Sequence, residues 1–226
     1  MRIEPLGDSA LIVRVAETFD AEQSLDAVLR ATRQLELAEI RGVLDFAPAY
    51  TTIGVFYDPA QTGAFDEFQA NIERALQRDL DSARIHEAAT IEVPVCYDRE
   101  FAPDLDEIAQ HTALSPEEIV DRHAGANYRV SCVGFTPGFP YLSGLPPELA
   151  TPRRASPRKE IPAGAVAIGG TQTGIYPRKS PGGWNIIGRT PLRLFDVERD
   201  PPALFHAGDR VRFRKISRQE FDAFPA

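Results

Sequence analysis

The sequence predicts a small α+β domain over residues 1–88 followed by a mainly β, barrel-forming domain over 89–226. Two observations predict it. Of 16 glycines, 11 lie between Gly125 and Gly188, and of 19 prolines, 10 lie between Pro137 and Pro191. The chain before this stretch carries longer runs of helix or strand spacing, whereas the stretch itself reads as short strands between turns.

The elements follow in order. Ala10–Val15 is an apolar run suited to a strand. Leu25, Val28, Leu29, Leu35 and Leu37 give Ser24–Leu37 a helical spacing. Val43–Ala47 and Thr51–Tyr57 read as paired strands with Pro48 in their connection, closed by Asp58-Pro59. Phe65, Phe68, Ile72, Ala75 and Leu76 recur at three and four residues, a helix face packed on a sheet. Ile91–Cys96 reads as a strand leading out of this unit. Asp104 and Glu107 form a D-x-x-E helix start, and Ser115-Pro116-Glu117-Glu118 a capping box with proline at the first helical position. That second helix should stop near Gly125. Six short strands follow: 128–133, 164–168, 174–176, 184–188, 192–195 and 211–215. Short strands between Gly/Pro turns suggest a closed or nearly closed β-barrel.

Composition excludes several functions. Hydrophobic residues make up 43% and charged residues 26%, ordinary for a globular protein. No uncharged apolar run approaches the roughly 18 residues that span a bilayer. Met1–Ala10 carries Arg2, Glu4 and Asp8 and lacks an apolar signal core, so a cytoplasmic protein without a membrane partner is expected. Cys96 and Cys132 are too few for a disulfide framework or a zinc knuckle, which fits a reducing compartment. The net charge of −8 argues against nucleic acid as a partner. Residues 151–193 nevertheless hold 8 basic and 1 acidic side chains, a concentration suited to a small anion or to a solvated loop.

Common catalytic signatures are absent. Gly169 and Gly174 have the glycine spacing of a phosphate-binding loop, but Ile175 stands where lysine is required. The histidines (His86, His111, His123, His206) are scattered, so no metal site is expected. Three motifs stand out. Gly134-Phe135-Thr136-Pro137-Gly138-Phe139-Pro140-Tyr141-Leu142 is too rich in glycine, proline and aromatics for a regular element. It is either a rigid ligand-facing loop or a tight barrel turn under aromatics. Ser180-Pro181-Gly182-Gly183-Trp184-Asn185 follows Tyr176-Pro177-Arg178-Lys179. Its backbone N–H groups could form an anion nest, with Arg178, Lys179 and Arg189 as cations, or a plain β-turn beside a core tryptophan. Arg158, in Pro157-Arg158-Lys159, is either a bidentate clamp for carboxylate or phosphate or a surface arginine. His123, near a helix end, either meets the last carbonyls or serves as a general acid/base.

Taken together, these motifs resemble the KipI/PxpB family, which takes in allophanate hydrolase subunit 1 and the PxpB component of 5-oxoprolinase. The resemblance runs from Gly7-Asp8-Ser9-Ala10-Leu11 through Pro94-Val95-Cys96-Tyr97, the 134–139 loop and Gly169-Gly170-Thr171-Gln172-Thr173-Gly174-Ile175-Tyr176-Pro177. It continues in Ser180–Trp184, Gly188-Arg189-Thr190-Pro191 and Gly208-Asp209. It implies a cyclophilin-like fold for the barrel, a likeness of fold only. It implies two partners, a homologous barrel subunit similar to PxpC or KipA and a third subunit of the LamB/YcsF kind. It also implies ATP-dependent opening of 5-oxoproline to glutamate, with ATP as co-substrate and Mg²⁺ as its companion. On this reading His123 and Tyr128 are a polar pair facing the 134–139 loop. Phe135, Pro137, Gly138, Phe139, Arg158, Gln172, Tyr176, Lys179, Ser180, Gly182, Gly183, Trp184 and Arg189 then surround a small anionic substrate or ATP. Two other readings belong to similar proteins: inhibition of a sensor histidine kinase, as for KipI, and a urea or allophanate pathway subunit.

Overall fold

The structure is a computed structural model that describes residues 1–78 and 90–225. The expected domain boundary at 88/89 and His86 lie outside the described residues. The chain divides into two compact units, Met1–Glu87 and Ala88–Ala226.

In the first unit, strands β1 (Arg2–Pro5), β2 (Ala10–Arg14), β3 (Val43–Ala49) and β4 (Thr52–Tyr57) form an antiparallel sheet in the order β1-β2-β4-β3. Period-two alternation sends Leu11 and Val13 of β2, and Ile53 and Val55 of β4, to one face. Helices α1 (Gln23–Leu37) and α3 (Phe65–Leu76) supply Val28, Ala31, Leu35, Phe68 and Ile72 to the same buried cluster. A one-turn helix α2 (Pro59–Thr62) lies between β4 and α3. Asp58 caps it by accepting from the Ala60 N–H at 3.0 Å. Pro48 does not sit in the connection. It lies inside β3, opposite Ile53. An edge strand tolerates a residue without an N–H, and the turn falls instead on Tyr50, at φ 51°.

In the second unit, β5 (Thr90–Val95) leads to α4 (Leu105–Thr112) and α5 (Pro116–Gly125). Ser115 caps α5 with the full reciprocal box that its sequence predicts. The later elements are β6 (Tyr128–Val133), β7 (Pro140–Ser143), β8 (Arg158–Ile161), β9 (Ala165–Gly169), β10 (Gln172–Ile175), β11 (Ser180–Gly182), β12 (Asn185–Arg189), β13 (Arg210–Lys215) and α6 (Arg218–Asp222). Seven strands make one sheet in the order β12-β9-β10-β7-β6-β13-β5. Its two edges meet through a bridge between Cys96 and Arg189, each N–H donating to the other's carbonyl at 2.9 Å. This closes the expected barrel. Its interior is filled by Val93, Val130, Leu142, Val166, Ile168, Ile187, Val211 and Phe213.

Three local expectations are corrected. Leu192–Phe195 is not a strand: Phe195 makes one isolated bridge to Ala203, while Leu194 is apolar because it plugs the core. The 134–142 motif is not irregular throughout, since Pro140 opens β7 against β6. Ser180-Pro181-Gly182 is not a free turn but strand β11, paired with β8.

Candidate functional site

Phe139 is the hub of an aromatic cluster on the second unit. Its ring centroid lies 4.8 Å from Tyr141, 5.1 Å from Tyr176, and 5.7 Å from both Trp184 and Phe135. All four contacts are tilted or edge-to-face, the arrangement aromatic quadrupoles favour. Tyr141 also meets Trp184 at 5.8 Å. Phe139, Tyr176 and Trp184 are buried, Tyr141 is half-buried, and Phe135 is 62% exposed.

Glycines let this cluster pack. A Cβ on Gly174 would lie 2.9 Å from the Phe139 ring, and one on Gly169 2.5 Å from the indole of Trp184. A Cβ on Gly182 would collide with the Tyr176 hydroxyl. Gly182 therefore serves close packing of Tyr176, whereas a Cβ on Gly183 would meet only Pro157 and the Arg154 carbonyl at ordinary contact distance. Gly182 itself is paired in β11 and not in an open turn. Gly138, at φ +82°, turns the loop against Phe195. Phe135 also has a positive φ, 66°, uncommon for a bulky residue and held here on an exposed tip. Beside it, Thr136 Oγ1 is buried with no hydrogen-bond partner among the described residues, and so is Ser180 Oγ on β11.

Burial pushes the Tyr176 phenol up to about 12, and the Trp184 backbone N–H donates to its oxygen. Burial likewise raises Tyr141. Both phenols therefore stay protonated near neutral pH and act as hydrogen-bond donors rather than bases.

The basic residues divide sharply. Asp104, 2% exposed, does not cap α4 with its side chain. It accepts from Arg158 Nη1 at 2.7 Å and Nη2 at 2.6 Å, from Arg154 Nη1 at 2.8 Å, and from the Ile186 N–H at 2.6 Å. Hydrogen bonding to Asp104 raises Arg158 above its ordinary value. The bidentate geometry predicted for Arg158 exists, but its carboxylate is internal. Lys179 pairs with Glu160 at 2.6 Å on the surface. Arg189 donates Nε to Ala163 O at 2.9 Å and lies over Phe101 and Phe221, at the barrel seam. Gln172 begins β10, and Pro137 is exposed on the loop.

His123 and Tyr128 are placed differently from the expected loop-facing pair. His123 is fully buried and stacks on Phe213 at 4.6 Å. Its Nδ1 lies 2.9 Å from Tyr97 Oη and its Nε2 3.0 Å from Thr173 Oγ1. Thr173 spends its own proton on Ala167 O, so Nε2 carries the hydrogen and Nδ1 accepts from Tyr97. Burial lowers the imidazole to about 3. Tyr128 donates to the His123 carbonyl at 2.8 Å, and burial raises its phenol well above the usual range. These are satisfied core groups, not a proton-transfer pair at a surface.

Sequence reasoning did not single out Arg153 as a site residue. Its guanidinium carbon lies 5.8 Å from the Trp184 ring centroid. The clue was the basic run Arg153, Arg154 and Arg158, but nothing local tells which of the three a distant aspartate neutralises. The cluster thus offers aromatic walls, phenol donors and a cation. That combination suits binding a small, planar, anionic molecule. Among the described residues no group of three His, Cys, Asp or Glu side chains could hold a metal ion. Nor is any described helix long and apolar enough to cross a membrane. Two shallow hollows of about 230 and 240 Å³ open on the first unit and are lined by its residues alone. The first is lined by Arg41, Arg74 and Arg78 among others.

Known proteins share this architecture. The family described as carboxyltransferase domain, subdomain C and D, matches residues 1–205. The B component of a 5-oxoprolinase from Bacillus subtilis is 40% identical over 99% of this chain and 96% of its own length. The crystal structure of TTHA0988 superposes with a TM-score of 0.76 at 37% identity, covering 92% of this chain. This chain spans 40% of TTHA0988, which is therefore a much longer protein. The K. lactis urea amidolyase superposes with a TM-score of 0.73 over 97% of this chain and 15% of its own, at 19% identity, a likeness of fold.

Proposed function

We propose a function from one premise: the chain belongs to the carboxyltransferase-domain family, subdomains C and D. It is a subunit of an ATP-dependent 5-oxoprolinase, which opens 5-oxoproline to glutamate while ATP becomes ADP and phosphate. It works with a homologous barrel subunit and a third subunit. The observation that carries this reading is near full-length similarity to the B component of a 5-oxoprolinase.

The lactam is a poor electrophile, and phosphorylation of its oxygen is the chemistry ATP supplies. Arg158, Lys179 and Arg189 are committed to partners within this unit, so they do not fit a phosphate site of this chain. Nucleotide and Mg²⁺ are accordingly assigned to the assembly. This chain's share is to bind and orient the substrate. The ring rests on Phe135 and half-buried Tyr141, backed by Phe139 and Trp184. Protonated phenols offer hydrogen-bond donors to a developing oxyanion. The unit's buried, neutral His123 performs no proton transfer here. A half-site of this kind turns over nothing alone.

The test is 5-oxoproline-dependent ATP hydrolysis, measured with the chain alone and after reconstitution with both partner subunits. Turnover in the full assembly and none with the chain alone is the expected result. A correctly assembled complex that leaves ATP intact in the presence of 5-oxoproline overturns the proposal.

A further inference from the structure

We infer that Arg153 is the residue that recognises the carboxylate of a small planar substrate, with Trp184 holding the guanidinium in place; on the reading above, that substrate is 5-oxoproline. Three geometric observations converge on it. Arg153 is exposed, and among the described residues it makes no ion pair with a carboxylate, whereas its neighbours Arg154 and Arg158 are both spent on Asp104. Its guanidinium lies 5.8 Å from the indole centroid, within the range of a cation–π contact. The Trp184 ring it lies over meets Tyr141 at 5.8 Å and Phe139 at 5.7 Å, which places Arg153 at the edge of the aromatic cluster.

The backbone on either side of Arg153 is pinned to the segment that carries Trp184. The Arg154 N–H donates to Gly183 O at 2.8 Å. Asn185 Nδ2 donates to Pro152 O at 2.8 Å. One residue further out, Thr151 and Gly170 exchange both backbone hydrogen bonds, at 3.1 and 2.7 Å. The backbone segments that carry Arg153 and Trp184 are therefore fixed side by side before any ligand arrives, which lowers the ordering cost of binding. A guanidinium stacked on a ring keeps its edge N–H groups free for bidentate contact with a carboxylate. A phosphate would call for further cations, and those nearest are already neutralised.

Trp184 is the chain's only tryptophan, so its emission reports on this site directly. The full chain is titrated with 5-oxoproline, with 2-pyrrolidinone (the same ring without the carboxylate) and with inorganic phosphate. The expected result is a saturable emission change with 5-oxoproline alone. Arg153→Ala should weaken that binding roughly 10- to 100-fold, the value of a charge-assisted contact. Arg153→Lys, which keeps the charge and loses the planar fork, should fall between. Circular dichroism of each variant separates loss of binding from loss of fold. Equal titrations of wild type and Arg153→Ala overturn the inference. So does the absence of any saturable response in the wild type, or an equal response to phosphate or 2-pyrrolidinone. An assembly without 5-oxoproline-dependent ATP hydrolysis, beside an Arg153-dependent titration, removes the oxoprolinase reading and leaves the carboxylate site standing.

Discussion

At the scale of single residues, burial decides what His123 does. Its imidazole is held to about 3 by burial, against 6.5 for the free side chain. The sign of the pH effect follows. Between these values the unfolded chain binds a proton that the folded chain refuses. Stability therefore rises with pH through this window and is flat, for this group, above it. Each pH unit below ~6.5 should cost about 1.4 kcal/mol from His123 alone. Denaturant melts of wild type and His123→Asn between pH 5 and 8 check this. The slope of stability against pH below 6.5 should fall by about one proton in the variant, and equal slopes would refute the assignment. Asp104 shows the limit of local reading at the same scale. The D-x-x-E pattern marks a helix start correctly, yet the carboxylate bonds to arginines 50 and 54 residues away instead. Nothing in the sequence of α4 announces those partners, so Arg158 read equally as an open clamp or as a surface arginine.

At the scale of elements, what was legible depended on length and period. Helices α1, α3 and α5 announced themselves through apolar spacing or a capping box, because each runs long enough to show a period. Strands β7, β8 and β11 hold only three or four residues each and begin at or contain proline, glycine or charge. No period survives in so short a run, and their pairing is set by neighbours distant in sequence. The aromatic motifs of the site were legible as motifs. Their mutual contact was not, since glycines on β9, β10 and β11 make the room for them. This yields a prediction at Gly169. Its hypothetical Cβ falls 2.5 Å from an indole wedged beneath Arg153 and against Phe139 and Tyr141. Gly169→Ala should cost about 1–3 kcal/mol as overpacking of a filled core. The displaced Trp184 should also change its emission maximum. A denaturation curve and an emission spectrum unchanged from wild type would show that the indole has space to yield.

At the scale of the whole molecule, the two units have separate cores, one built on Leu11, Val13, Phe68 and Ile72, the other on Val93, Leu142, Ile168 and Phe213. Everything that closes the barrel belongs to the second unit. The Cys96–Arg189 bridge joins the sheet edges, and Arg189 reaches over Phe101 and Phe221, which meet at 4.6 Å. Arg218 stacks on Phe101 at 4.7 Å while pairing with Glu100 and Asp222, which ties α6 to the loop after β5. The fragment Ala88–Ala226 lies within the ~50–250 residues of a self-sufficient domain. It should therefore fold alone, with one cooperative unfolding transition and the Trp184 emission of the full chain. The tryptophan makes the outcome plain, because it is buried in the fold and belongs to this unit. Emission like that of tryptophan in water would mean that the barrel requires the first unit to close. Native emission would establish that the aromatic–arginine site is a property of the barrel itself.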